Sequence, residues 1–298
     1  MRLKAQGVLR GAWCVKYSAA RPAKCLTEHA TRNTKEPLSQ PIKLISTDFD
    51  GTIFAEFENP PIPPALVAIL REQQARGVKW VINTGRDMSS LMEALARAHI
   101  PIQPDFLVLV EREIYVHDGV RYSAHATWNA ACARDHAELF ARVRPDAPAM
   151  MDWVNERFRA TVYEDPFSPF CLIADNNGDA DEIHRYLDAY CARIPNLTVV
   201  RNDVYARFSH TAYNKGSALA ELSRMLLVSA AEVLAAGDHL NDLPMLTLQH
   251  AARLIAPANA MPEVKAAVKQ AGGFISKLTC GHGIADGLKR QFGAPAGG

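Results

Sequence analysis

Four polar clusters in this chain have the residue types and spacing to hold an anion beside a hard cation. The first is Asp48-Phe49-Asp50-Gly51-Thr52, directly after the apolar, β-branched run Ile42–Thr47. Two carboxylates two residues apart, leaving a strand into a turn that glycine permits, can face one site while Phe49 points away. The second, Asn83-Thr84-Gly85-Arg86, offers a hydroxyl and free backbone N–H groups near a helix start, an arrangement that binds anions. The third, Asn214-Lys215-Gly216, puts a lysine at a helix start, against the macrodipole preference for acids. The fourth, Gly237-Asp238-His239-Leu240-Asn241-Asp242, has two aspartates four residues apart, which suit an oxygen-seeking cation such as Mg²⁺. Each cluster taken singly is also explained as helix or turn capping, or as a solvated surface charge. Their joint placement is not.

That placement follows from the elements. Ile42–Thr47 reads as a strand, Ala65–Arg76 as a helix stopped by Gly77, Val78–Asn83 as a strand, Ser89–Ala98 as a helix and Asp105–Val110 as a third strand. The same texture returns after residue 214. There a helix spans 215–227, strands 233–236 and 253–256, a helix 262–270, a strand 274–276 and a helix 284–291. A helix is also expected to run from the Asp242 loop through Met245. Strands alternating with helices over short connections predict a mostly parallel sheet covered on both faces. Ligand sites of such sheets lie at the carboxyl ends of the strands, and every cluster falls at such an end or at the start of the following helix. Between the halves lies an α+β stretch with Asp118-Gly119 and Asn202-Asp203 turn signals. Its strands are expected near 160–163, 171–174, 197–200 and 204–208, and its helices at 129–142 and 179–192, the second starting on an Asp179–Glu182 capping box.

In type and order the four clusters resemble the haloacid dehalogenase superfamily of phosphatases: Asp48–Thr52 as the DxDGT loop, Thr84 as the Ser/Thr motif, Lys215, and Asp238/Asp242 as GDxxND. The resemblance covers about residues 42–292. It implies a Rossmann-like α/β core at 42–118 and 211–292, and a C2-type cap at 119–210 inserted between the Thr and Lys motifs. The Lys-Gly-Ser-Ala-Leu run, Asp242-Leu243-Pro244-Met245-Leu246 and Ala258-Asn259-Ala260 are similar to Cof-type and sucrose-phosphatase-like members. The implied activity is Mg²⁺-dependent hydrolysis of a small phosphate monoester, with a sugar phosphate as the expected substrate class. A phosphomutase or phosphotransferase on the same fold, or a non-catalytic phospho-ligand binder, are the alternatives. The resemblance assigns Asp48 as nucleophile and Asp50 as general acid and base. It gives Thr84, Gly85, Lys215 and Asn241 to the phosphate, and Asp48, Asp50 (through its carbonyl), Asp238 and Asp242 to the metal. The dehalogenating branch lacks the second carboxylate of the first motif, so Asp50 favours a phosphatase.

The insert departs from the pattern. Sucrose-phosphatase-like members show Val-Gly-Thr-Glu-Ile-Tyr after the third strand; here the run is Val110-Glu111-Arg112-Glu113-Ile114-Tyr115. Trp128, Trp153, Phe158, Phe167 and Phe170 could stack on a sugar but read chiefly as core. Arg86 is open between a substrate contact and an ion pair with an acid of the insert. His239 and His282 lack a second histidine at ligand spacing.

Composition sets the outer limits. With 48% hydrophobic and 22% charged residues in 298, the chain is neither disordered nor fibrous, and no apolar stretch is long enough to span a bilayer. The net charge of +1 is unevenly spread. Residues 1–41 carry eight Lys/Arg against Glu28 and Glu36, leaving 25 bases and 30 acids, a net −5, on the other 257. The basic segment is Arg-rich and acid-poor like a transit peptide, without the apolar stretch of a secretory signal, and an over-extended start would look the same. It is expected outside the fold, as is 293–298. The six scattered cysteines form no CxxC pair and read as small hydrophobes in a reducing compartment, the cytoplasm, with organellar targeting left open. A small phosphorylated substrate is the expected partner, with no nucleic acid and no membrane; no oligomeric state follows.

Overall fold

The computed structural model describes residues 40–293; the reading of residues 1–39 as a basic tail lies outside the described residues. The first half of the main domain runs β1 (Leu44–Thr47), α1 (Pro64–Ala75), β2 (Lys79–Asn83), α2 (Met88–Ala98), β3 (Phe106–Leu109), β4 (Glu113–His117) and β5 (Tyr122–Ala124). The insert follows as α3 (Ala126–Val143), α4 (Ala147–Asn155), β6 (Ala160–Asp165), β7 (Ser168–Ala174), α5 (Asn177–Cys191), β8 (Leu197–Asn202) and β9 (Tyr205–His210). The chain then returns through α6 (Lys215–Leu226), β10 (Val233–Ala236), β11 (Arg253–Ala256), α7 (Pro262–Gln270), β12 (Phe274–Ile275) and α8 (Cys280–Phe292).

Eight strands form one sheet in the order β12-β11-β10-β1-β2-β3-β4-β5. The first six are mutually parallel, and β4 and β5 are antiparallel. The central strands are buried on both faces, as parallel strands under crossover helices must be. Alternate residues feed two cores. Ile45, Trp80 and Ile82 pack under α1, α2 and α8, while Leu44 and Val81 pack under α6 and α7. Because β1 sits between β10 and β2, the chain leaves the sheet at Asp48 with Gly237-Asp238 on one side and Thr84 on the other.

The main sheet extends beyond residue 118, where the sequence boundary placed the insert. Val116 pairs with Ser123, so the Asp118-Gly119 hairpin belongs to the sheet edge. The insert is a four-stranded antiparallel sheet, β6-β7-β9-β8, with its own core of Phe170, Leu172, Ala206 and Phe208 against Leu139 and Val143 of α3, Val154 of α4 and Leu187 of α5. Three further differences have local causes. No element was expected over 143–159; in α4 a proline occupies the first turn, where its missing N–H costs nothing. α5 starts at Asn176, whose side chain accepts from the Asp179 amide, and not on an Asp179–Glu182 box. The helix expected through Met245 is a 3₁₀ turn at Leu240–Asp242. Among the described residues no helix is long and apolar enough to cross a membrane.

Candidate active site

The site is built by loops at the carboxyl ends of β1, β2 and β10, plus the first turn of α6. After β1 the Asp48 amide still donates to Ala236 O of β10 at 2.9 Å, which holds the carboxylate at the sheet's edge. The amides of Ile53 and Phe54 then fold back on Phe49 O at 2.9 Å each. Phe49 points into the core and stacks on Phe54 at 4.7 Å, so the carboxylates on either side of it face the other way. Gly51 has φ +72°, and a Cβ there would run into the Asp238 carboxylate. Only glycine satisfies both the turn and that approach. Gly216 plays a similar part across the site: a side chain there would strike Pro244 O, so its absence lets Lys215 press against the Asp242 loop.

Lys215 is almost wholly buried and donates to Asp48 Oδ1 and Asp242 Oδ1, at 2.6 Å each. Asp242 spends its second oxygen on the amides of Asp238 (2.8 Å) and His239 (2.9 Å). Thr52 Oγ1 donates to Asp238 Oδ1 at 2.6 Å, with Asp48 Oδ2 3.3 Å away. Carboxylate oxygens of Asp48, Asp238 and Asp242 all lie within 4.8 Å of one another. Two buried carboxylates and the half-buried Asp238 around one ammonium leave negative charge in excess, and the protonation equilibria show it. Burial, then Asp242, pushes Asp48 well above the ordinary carboxylate range against the opposing pull of Lys215. Burial and Asp242 likewise lift Asp238 to about 7. Burial alone would lower Lys215, but Asp242 and Asp48 raise it instead, so it stays charged. A hard dication fits this donor set, since all the candidate ligands are oxygens and their charge is under-compensated. Asp48 Oδ2 and Asp238 Oδ2 are the oxygens nearest to free; both oxygens of Asp242 are taken by Lys215 and backbone amides.

Asp50 is engaged differently. Arg86 grips it with two bonds, Nε to Oδ2 at 2.8 Å and Nη2 to Oδ1 at 2.6 Å, while the guanidinium lies 5.5 Å from the Phe49 ring centroid. Arg86 thus pairs with an acid of the main domain and not with one of the insert. Thr84 is buried beside Asp48's strand, with its Oγ1 accepting from the Arg86 amide at 3.2 Å. Asn241 is buried, and its Nδ2 donates to Glu111 Oε1 at 2.8 Å, while its Oδ1 has no partner. Gly85 lies against the same carboxylate. All the expected site residues, Asp48, Asp50, Thr84, Gly85, Arg86, Lys215, Asp238, Asn241 and Asp242, therefore converge on one end of the main sheet.

Three neighbours were not singled out from sequence. Thr52 was quoted only as part of its motif, and Asn259, which donates to Gly51 O at 2.8 Å, only as part of a run. Glu111 was noted only as a departure from the Val-Gly-Thr run of the resemblance; Val110 and Glu111 both have positive φ (44° and 68°), a backbone suited to glycine and held here by amide bonds to Arg86 O and Thr84 O. Of the two histidines, His239 accepts from the Asp203 amide at 3.0 Å and so ties the insert's β8–β9 turn to the main domain. His282 lies at the surface near Glu58. Phe170 is insert core, and Trp153 stacks on Tyr186 and packs against that core, away from the site.

Comparison with known proteins agrees with this geometry. Residues 41–140 match the model of sucrose-6F-phosphate phosphohydrolase, and residues 151–288 match that of haloacid dehalogenase-like hydrolases. Two curated relatives carry the name "Putative phosphatase". One, from Haemophilus influenzae, is 23% identical over 84% of this chain and 98% of its own; the other, YxeH of Bacillus subtilis, is 24% identical over 83% and 97%. Among solved structures, the sucrose-phosphatase of Synechocystis in complex with sucrose and phosphate superposes with a TM-score of 0.62 at 18% identity, covering 84% of this chain and 98% of that one. A haloacid dehalogenase-like hydrolase of B. subtilis gives 0.58 at 19% identity, covering 83% and 99%.

Proposed function

The chain belongs to the haloacid dehalogenase superfamily as one of its phosphatases, and on that premise we propose that it hydrolyses a small sugar-phosphate-class monoester through an aspartyl-phosphate on Asp48. The observation that carries this reading is the position of Asp48: a buried carboxylate at the end of the central strand, bonded to Lys215 and flanked by Asp238 and Thr84. Asp48 attacks phosphorus while the P–O bond to the sugar breaks, and Asp50 delivers a proton to the departing alkoxide. A water then attacks the phosphoaspartate with Asp50 taking its proton, which releases inorganic phosphate and restores the Asp48 carboxylate and the protonated Asp50. Lys215, the Thr84 hydroxyl, the Gly85 amide and the Asn241 amide hold the transferring oxygens, the positioning and charge stabilisation that dominate phosphoryl transfer.

Mg²⁺, held by Asp48, Asp238 and the Asp50 main-chain carbonyl, would offset the repulsion between the anionic nucleophile and the anionic phosphate. Asp242 would reach the metal directly or through water, and it also fixes Lys215 and the Asp238 loop. Arg86 positions Asp50. The insert, as a cap over the strand ends, would exclude water and select the leaving group. A sugar is favoured by the match to the sucrose-6F-phosphate phosphohydrolase model over residues 41–140. The test is release of phosphate from a panel of sugar phosphates and from p-nitrophenyl phosphate, by the parent and by Asp48→Asn, with and without EDTA. Equal turnover by the variant, or indifference to EDTA, would overturn the reading. Isomerised sugar phosphate without free phosphate would make the enzyme a mutase.

A further inference from the structure

The insert sheet buries one face under α3, α4 and α5 through Leu172, Ala206 and Phe208, so by strand alternation Cys171, Tyr205, Arg207 and Ser209 belong to the opposite face. There Arg207, 3% exposed, donates from Nη2 to Gly85 O at 2.7 Å, in the loop expected to hold the phosphate. A second guanidinium stands close by. Arg112, 4% exposed, donates to Phe167 O at 2.7 Å and to Ser209 Oγ at 3.3 Å. Burial, followed by the charge of Arg207, pulls Arg112 below the usual arginine range.

Neither guanidinium lies within 4.0 Å of a carboxylate among the described residues, whereas the buried Lys215 is paired with both Asp48 and Asp242. Glu113 and Glu111 act on Arg112 only at longer range, and Glu111 Oε1 is taken by Asn241. Buried charges are normally paired, because an uncompensated one forfeits its hydration. Two adjacent and unpaired, each with most of its five N–H donors unspent, describe a receptor for an anion. Beside Arg207 in the strand register, Val200 lines a cavity of about 240 Å³ bounded on the main-domain side by Glu111, Asn241 and Leu240. The departing part of a substrate has room there.

We propose that Arg207 and Arg112 receive a second anionic group on the substrate, so that the preferred substrates are phosphate esters whose leaving group carries a carboxylate or another phosphate. This rests on the hydrolase reading above and narrows it from sugar phosphates in general to sugar-acid phosphates and bisphosphates. Because Arg207 bonds the carbonyl of Gly85 itself, the two anionic ends must lie a few bonds apart. Arg207 is then a specificity residue that binds substrate, and Arg112 its charge partner.

Initial rates of phosphate release from glycerol 3-phosphate, 3-phosphoglycerate and glycerol 1,3-bisphosphate test this, since the series changes only the second group. The parent enzyme is expected to prefer one or both doubly anionic esters by about tenfold or more in kcat/KM, mainly through KM, the size of one charge-assisted hydrogen bond. Which of the two it prefers identifies the anion as carboxylate or phosphate. Arg207→Gln should reduce that preference to near unity, and Arg207→Lys should keep part of it. Equal kcat/KM for all three esters in the parent would overturn the proposal without touching the hydrolase reading. So would a uniform loss on all three in Arg207→Gln, which would make the arginine a latch between the insert and Gly85. No phosphate released from any ester would overturn both.

Discussion

The floor of the site and the wall above it are out of balance in opposite directions. On the floor, at the ends of β1 and β10, the buried Asp48 and Asp242 share one lysine with the half-buried Asp238 close by. In the wall, Arg112 and Arg207 are as deeply buried and have only neutral acceptors. A fold that closed for stability alone would bring these charges together; here they are kept apart. The floor is an incomplete site for a cation and the wall an incomplete site for an anion, and a metal with a phosphorylated substrate would complete both.

The largest effect is expected at the nucleophile. Asp48→Asn should lower phosphate release by at least ~10³-fold, measured as single-turnover and steady-state rates, because the covalent route is lost. Lys215→Met comes next. Removing the ammonium that bonds both leaves Asp48 and Asp242 facing each other unpaired, at a cost of about 3–5 kcal/mol in stability; a denaturant midpoint unchanged from the parent would contradict the description of the floor. Arg86→Gln should cost about 10–100-fold in kcat by releasing Asp50 from its fixed orientation. It should cost under about 1 kcal/mol in stability, because that pair is partly solvated.

Two smaller effects read the protonation state. Asp238 has a folded-state pKa of about 7, above its unfolded value, so the metal-free fold binds the extra proton and loses stability as pH rises from about 4 through 7. A dication competes with that proton. The rise in Tm on adding Mg²⁺ should therefore grow between pH 5.5 and 8 in the parent and be largely lost in Asp238→Asn; a pH-independent increment would show that the floor does not take up the metal. His136, in the insert, behaves in the opposite sense. Buried, it donates from Nδ1 to Cys132 O at 2.8 Å, and its Nε2 accepts from the His210 amide at 3.1 Å, so it folds neutral and burial lowers its pKa to about 3. Its contribution is present above about pH 6.5 and is lost as pH falls toward 3. His136→Gln should flatten the acid limb of the stability curve measured by urea denaturation, with the floor's metal response unchanged.

How much of this was legible depends on range. Asp48, Thr84, Lys215 and Asp238 are separated by up to 190 residues, yet they could be read together because each follows a strand or opens a helix, and a parallel sheet gathers such ends at one edge. The helix α1 was readable from apolar periodicity and its flanking Pro and Gly, because those signals act within a few residues. α4 was not, since Pro145 and Pro148 look alike whether they break a helix or begin one. Glu111 and Arg112 were visible as departures from a family pattern, but nothing local says where a carboxylate or guanidinium will point. The amino-acid sequence by itself determined the main sheet and the residues at its functional edge, through hydrophobic period and strand order. Only the tertiary structure decided their pairing: Arg86 on Asp50, Asp242 on Lys215, and Arg207 left beside Gly85 without a counter-ion. Which charge meets which is settled by distances between segments far apart in the chain, and no local spacing encodes them.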